Sequence, residues 1–115
     1  MSLAINTAMT ALRTLDKKME VTANNTANVN TDGFKASRVE TQEAYPAGVK
    51  VTISQTETPG TPLQDAEGSE TSESSNVSLE EQMQELVMTS QMYRANLEVI
   101  KAEDETLGAL LDIRG

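Results

Sequence analysis

The chain carries an apolar stripe at helical spacing at each of its two ends, and this limits its fold more than any other feature. Near the start, Ile5, Ala8, Leu12, Leu15, Met19, Thr22, Thr26 and Val29 follow an unbroken spacing of three and four. They therefore share one face of a helix. Near the end, Leu79, Met83, Leu86, Ser90, Tyr93, Leu97, Ile100, Asp104, Leu107 and Leu111 do the same. Both stripes have the 3.5-residue period of a left-handed coiled coil. The run Ser78-Leu79-Glu80-Glu81 is a capping box, in which hydroxyl and carboxylate satisfy reciprocal backbone N–H groups, and it sets the start of the second helix. About 35 residues at 1.5 Å each make that helix roughly 50 Å long.

Ser2 is the expected N-cap of the first helix. The amides of Asn24, Asn25, Asn28 and Asn30 compete for backbone groups, so this helix is expected to end near Asn30. Gly33 then supplies a left-handed terminator. A long helix with a continuous apolar seam needs a cover. The first helix is the partner within the chain, and a chain that runs out along one helix and back along the other makes an antiparallel pair. The expected fold is mainly α: two long terminal helices packed as a coiled-coil-like antiparallel pair, with a short loop-rich or β excursion between them.

Three zones follow: residues 1–31 for the first helix, with its motif running to about 38; residues 32–77 for an irregular acidic insert; and residues 78–115 for the second helix. Within the insert, Val49, Val51 and Ile53 alternate with polar residues and read as a short half-buried strand. Residues 39–42 can pair with it across the Tyr45-Pro46-Ala47-Gly48 turn. From Thr56 to Asn76 apolar groups are scarce, too few to offset the cost of ordering. That stretch reads as an exposed linker.

Composition excludes several functions. Nine Lys and Arg stand against 18 Asp and Glu, a net charge of −9, which opposes nucleic-acid binding through phosphate neutralisation. The same charge opposes docking on an anionic membrane. The first zone carries +1, whereas the insert and the last zone carry −5 each, so the first helix can lie beside the second without strong repulsion. No run approaches the roughly 18 apolar residues of a membrane span. The first fifteen residues lack the pattern of a cleavable signal peptide. With no Cys and no His, disulfides and thiolate–zinc sites are ruled out, and no catalytic constellation or phosphate loop stands out. Glu103, Asp104 and Glu105 are consecutive and point apart on a helix. No metal or cofactor is expected, and no enzyme activity.

Residues 22–38 read Thr-Ala-Asn-Asn-Thr-Ala-Asn-Val-Asn-Thr-Asp-Gly-Phe-Lys-Ala-Ser-Arg. This resembles the N-terminal signature of flagellar rod, hook and hook-associated proteins, an ANNIANxxTxGFK-type motif. Residues 76–113 resemble the C-terminal segment of the same family, with Asn76, Val77, Leu79, Met83, Tyr93, Ala95, Asn96 and Ile100 matching. Gln82 and Gln91 depart from its usual Glu and Arg. The short insert is most like that of a short proximal-rod protein. The resemblance implies a structural subunit of the bacterial flagellar basal-body rod. Such a subunit is a substrate of the flagellar type III export apparatus, exported without a cleaved signal peptide, and polymerises through its terminal helices into the axial drive shaft. Its partners would be itself, as a homo-oligomer, and homologous rod and hook subunits.

The residues expected to carry assembly are Leu12, Leu15, Met19, Leu86, Leu97, Ile100 and Leu107 on the seams, with Asn24, Asn25, Asn28, Gly33, Phe34, Tyr93 and Asn96 from the motifs. The Asn cluster reads either as amides that tie a helix end to neighbouring subunits or as a plain helix end with a glycine cap. Phe34 reads either as a turn anchor or as an inter-subunit contact, and Tyr93 as the bulkiest seam residue. A rival function is a cytoplasmic helical-hairpin adaptor that binds one partner helix.

Overall fold

The computed structural model describes residues 3–45, 48–64, 68 and 70–114. Helix α1 spans Leu3–Ala27 and helix α2 spans Leu79–Arg114. Between them lie strands β1 (Ser37–Glu43), β2 (Val49–Gln55), β3 (Pro62–Gln64) and β4 (Glu70–Glu73). The fold is mainly α, as expected: two long helices pack on each other with a β excursion between them. The expected N-cap Ser2 and the turn residues Pro46 and Ala47 lie outside the described residues. The molecule is a blade of 81 × 25 × 13 Å.

Helix α1 stops at Ala27, three residues before the end expected from its sequence. The Asn28 side chain donates to the Asn24 carbonyl (2.8 Å), and its backbone N–H is shared between the carbonyls of Asn24 and Asn25. The amide thus takes over helix hydrogen bonding and closes the last turn. Gly33 follows with φ +75, the left-handed conformation expected of it.

Strands β1 and β2 form an antiparallel hairpin with Val39 opposite Ile53, Thr41 opposite Val51 and Glu43 opposite Val49. Alternation puts the four apolar residues on one face, and the hairpin packs on α1. At its turn Gly48 (φ +104) lies so near α1 that a Cβ would sit 3.2 Å from the Thr10 side chain. The other face is polar: Arg38 pairs with Glu40 (3.1 Å) and donates to Ser54 Oγ (2.9 Å).

The stretch read as an exposed linker holds a second hairpin, with Leu63 opposite Ser72 and a register shift between Leu63 and Gln64. Its strands pack on neither helix. Backbone and side-chain polar bonds hold it instead, a cohesion that apolar content does not report. Gly33 N–H donates to the Glu73 carbonyl (2.7 Å), Ser74 N–H to the Thr61 carbonyl (2.8 Å), and Thr61 N–H to Ser74 Oγ (2.9 Å). Gly60 is pressed against the same stalk, where a Cβ would collide with the Ser74 carbonyl. Gly60→Ala is therefore expected to part the two strands, costing about 1–3 kcal/mol locally. Hydrogen exchange should speed up across 60–74 while the helices keep their protection.

The contact between the helices is thin. Ala8, Leu15 and Ala36 are the buried apolar residues among those described, and Thr14, Thr22, Asn25 and Thr89 are buried beside them. On α2 the least exposed positions are Gln82, Glu85, Thr89, Ser90, Tyr93, Asn96, Ile100 and Glu103. Except for Ser90 they keep a spacing of three and four, and they face α1. This differs from the seam expected from sequence, with which they share only Ser90, Tyr93 and Ile100. A polar column seven residues apart, Gln82, Thr89, Asn96 and Glu103, stands where Met83, Ser90, Leu97 and Asp104 were expected. Apolar groups occur around the whole girth of α2, so hydrophobicity does not set its rotation. Two polar contacts set it: Asn25 Nδ2 donates to Gln82 Oε1 (3.1 Å) and Lys18 pairs with Glu85 (3.8 Å).

Candidate assembly interface

A joint braced by two asparagines ties the three parts of the molecule together. Asn25, near the end of α1, is 2% exposed. Its Nδ2 donates to the Ser37 carbonyl (2.8 Å) and to Gln82, while its Oδ1 accepts the Ser37 N–H (2.9 Å). One amide thereby fastens α1 to the start of β1 and to α2. Asn76, just before α2, works from the other side. Its Oδ1 accepts from Ala36 N–H (2.6 Å), and its Nδ2 donates to the carbonyls of Thr56 (2.7 Å) and Thr58 (2.9 Å). The Asn76 N–H also donates to the Phe34 carbonyl (3.1 Å). A cleft of about 360 Å³ opens beside this joint, lined by residues that include Lys18, Asn25, Arg38, Gln82 and Glu85.

The loop after α1 continues the brace. Lys35 Nζ lies 2.8 Å from a Glu73 carboxylate oxygen, and Gly60 N–H donates to the same oxygen (3.3 Å). The Lys35 hydrogen bond, then the Gly60 N–H and the Lys35 charge, hold the Glu73 carboxyl below the ordinary glutamate range. A carboxyl depressed in the folded state contributes stability above its unfolded pKa and loses it as pH falls through the folded value. Acidification below about pH 4 is therefore expected to free the second hairpin first. The readout is the protection of the Gly60 amide relative to its intrinsic exchange rate at each pH, which should fall on acidification in the native protein and stay level with pH in Glu73→Gln.

The other sequence-derived residues fall into two groups. Leu15 is buried, and Leu12, Met19, Asn28, Phe34, Tyr93, Asn96 and Ile100 are half-buried. The amide of Asn25 is committed within the chain. Asn28 bonds Asn24 and Thr31, and Asn96 donates to the Met92 carbonyl (2.9 Å). Asn24, Gly33, Leu86, Leu97 and Leu107 are exposed. Sequence reading missed Asn76 as a structural residue, although it had matched it as part of a motif. An Asn just before a helix cap was the available signal.

Exposed apolar groups run the length of α2. Leu79, Met83, Leu86, Val87, Leu97, Leu107 and Leu111 are 42–68% exposed on or beside the expected seam. Met88, Met92, Val99 and Leu110 are 47–57% exposed on other sides. A helix apolar on several sides is the pattern of a helix meant to be surrounded. Large apolar side chains left exposed in this number mark α2 as a surface for other chains.

Two family models match the chain. Residues 5–35 match the flagella basal body rod protein, and residues 69–113 match the C-terminal segment of the flagellar basal body rod FlgEFG proteins. Together they cover about two thirds of the sequence, one at each terminal helix. The chain belongs to the flagellar basal body rod family. Membership makes it a structural component of the basal body, working among other rod and hook subunits, in a family that is not one of enzymes. No curated protein matches it significantly. Among the described residues no helix is long and apolar enough to cross a membrane, and no three acidic side chains converge as metal ligands.

Proposed function

We propose that this rod-family chain polymerises through its terminal helices, as a short proximal-rod subunit, to build the axial drive shaft of the flagellum. The observation that supports this most is the inverted dressing of α2, which turns polar Gln82, Thr89 and Asn96 toward α1 and leaves leucines, valines and methionines outside. Burying such groups contributes about 25 cal/mol per Å². Several neighbouring helices could draw on that term at once. The inward residues Leu12, Leu15, Met19 and Asn25 shape the subunit. The exposed residues Leu86, Leu97 and Leu107 make the contacts between subunits, with Asn24, Gly33 and Phe34 at the joint end. The chain reaches the growing rod through the flagellar type III export apparatus without loss of a signal peptide.

Fractionation tests this reading. The protein is expected to co-purify with basal bodies with its first residues intact, and to stay in the cell when flagellar export is blocked. Recovery as a free cytosolic protein bound to one partner, with export running, would favour the adaptor instead.

A further inference from the structure

Strand β1 meets a side chain where a third strand would sit. Across the β1–β2 ladder, Ala44 N–H donates to the Gly48 carbonyl (3.0 Å) and Thr56 N–H to the Ala36 carbonyl (2.8 Å). Even-numbered residues therefore bond inward, and the N–H and C=O groups of odd-numbered residues point out from both edges of the hairpin. At Ser37 the Asn25 amide takes both outward groups, accepting from the N–H and donating to the carbonyl. It fills that place as the peptide group of another strand would. Past Asn25 the edge is open: among the described residues, no strand other than β2 pairs with Val39, Thr41 or Glu43. The outer edge of β2, at Val49, Val51 and Ile53, is open in the same way.

The two hairpins treat their edges differently. The second is short, begins at Pro62 and breaks register between Leu63 and Gln64. Short strands, proline and broken register keep an edge from pairing. The first hairpin pairs seven residues with seven without a shift, and neither of its strands contains proline. A regular, bare edge is a template for another strand.

We propose that the outer edge of β1 takes the outer edge of β2 from a second copy of this chain, so that the hairpins of neighbouring subunits join into one sheet. The proposal rests on the rod reading above and names a contact within it. Charge favours this pairing over the two like-edge ones. Strand β1 carries Arg38 against Glu40 and Glu43, a net of −1, and β2 carries Lys50 alone, a net of +1. In the antiparallel register that sets Val51 against the neighbour's Val39, Lys50 faces the neighbour's Glu40 at a non-hydrogen-bonded position, where side chains come closest. Arg38 and Ser54 hold Oε1 of Glu40, and Oε2 remains for the lysine. Pairing β1 with β1 would gather two glutamates from each chain, and β2 with β2 would bring two lysines together. Joining two different edges also makes the contact head-to-tail, so it extends through a polymer instead of ending at a dimer.

The absence of native cysteine allows a direct test in assembled basal bodies. Glu40 and Lys50 are exposed, so cysteine at either position should leave the fold intact. Chains carrying Glu40→Cys are co-expressed with chains carrying Lys50→Cys, so a disulfide between the two kinds joins separate molecules. Oxidation is expected to move monomer into a dimer band, while basal bodies built with either variant alone stay monomeric. A dimer from either variant alone would overturn the proposal in favour of like edges meeting. A charge exchange reads the same contact without cysteine. Lys50→Glu should lower the rod protein in basal bodies severalfold, and Glu40→Lys in the same chain should restore it; a loss that is not restored would also overturn the pairing. Both cysteine chains present in basal bodies with no mixed dimer would reject the shared sheet and leave the rod reading standing. Slower exchange of the Val39 and Thr41 amides on assembly would then give the edge to a different chain of the rod. Failure of the unsubstituted chain to enter basal bodies would remove both readings.

Discussion

Asn25→Ala is expected to destabilise the folded chain by about 3 kcal/mol. Three hydrogen bonds end on this amide. Alanine removes them all and leaves the Ser37 N–H and carbonyl without partners at a nearly closed site. A buried polar group left unpaired costs about 1–3 kcal/mol. Typical domain stabilities are about 5–15 kcal/mol, and this one has a thin core, so the loss is a large fraction of the total. Asn25→Asp separates the roles. It keeps an acceptor for the Ser37 N–H but loses both donated bonds, and it buries a charge facing Gln82 Oε1 near Glu85. It should be at least as damaging at neutral pH and recover partly on acidification, as the carboxyl becomes neutral. Chemical denaturation of the purified chain, followed by circular dichroism, measures both. Values within 1 kcal/mol of the unsubstituted protein would show that Asn25 does not join α1 to β1.

The same residue shows what the sequence carried and what it did not. Periodicity located both helices, and Val49-Lys50-Val51-Thr52-Ile53 located a strand with its partner, because each pattern is local. The role of Asn25 depends on Ser37 and Gln82, one twelve and the other fifty-seven residues away. No local pattern reports such a bond. The second hairpin was missed for a related reason. Low apolar content argues against burial, but Glu73, Ser74 and Asn76 hold Thr56, Thr58, Gly60 and Thr61 by polar bonds. The rotation of α2 was obscured by abundance. With apolar side chains on most sides, the widest stripe looked like the inner seam, whereas the structure turns Gln82, Thr89 and Asn96 inward. In a subunit whose neighbours supply burial, the apolar stripe names the outer contact as readily as the inner one.

That inversion gives the second large effect, Leu97→Asp. Leu97 is 45% exposed and stands off the α1-facing series, between inward Asn96 and exposed Glu98. An exposed substitution away from buried features usually changes stability by no more than about 0.5 kcal/mol. The isolated chain should therefore keep its helicity and melting behaviour. In an assembled shaft the same carboxylate would be buried against neighbouring helices without a partner, where removing a charge from water costs several kcal/mol. Each contact repeats in every copy, so incorporation and motility should be lost together. Leu15→Asp is the contrast. Leu15 is 4% exposed between the helices, and a charge there should unfold the subunit itself and lower its steady-state amount. The pair is read by swimming-halo diameter, by rod protein in purified basal bodies and by thermal denaturation. Loss of motility with an unchanged melting curve for Leu97→Asp, against loss of both for Leu15→Asp, is the expected outcome. Normal swimming by Leu97→Asp would mean that this flank of α2 stays in water within the rod, and the contacts between subunits would then have to lie on its other apolar flank, around Met88, Met92 and Val99.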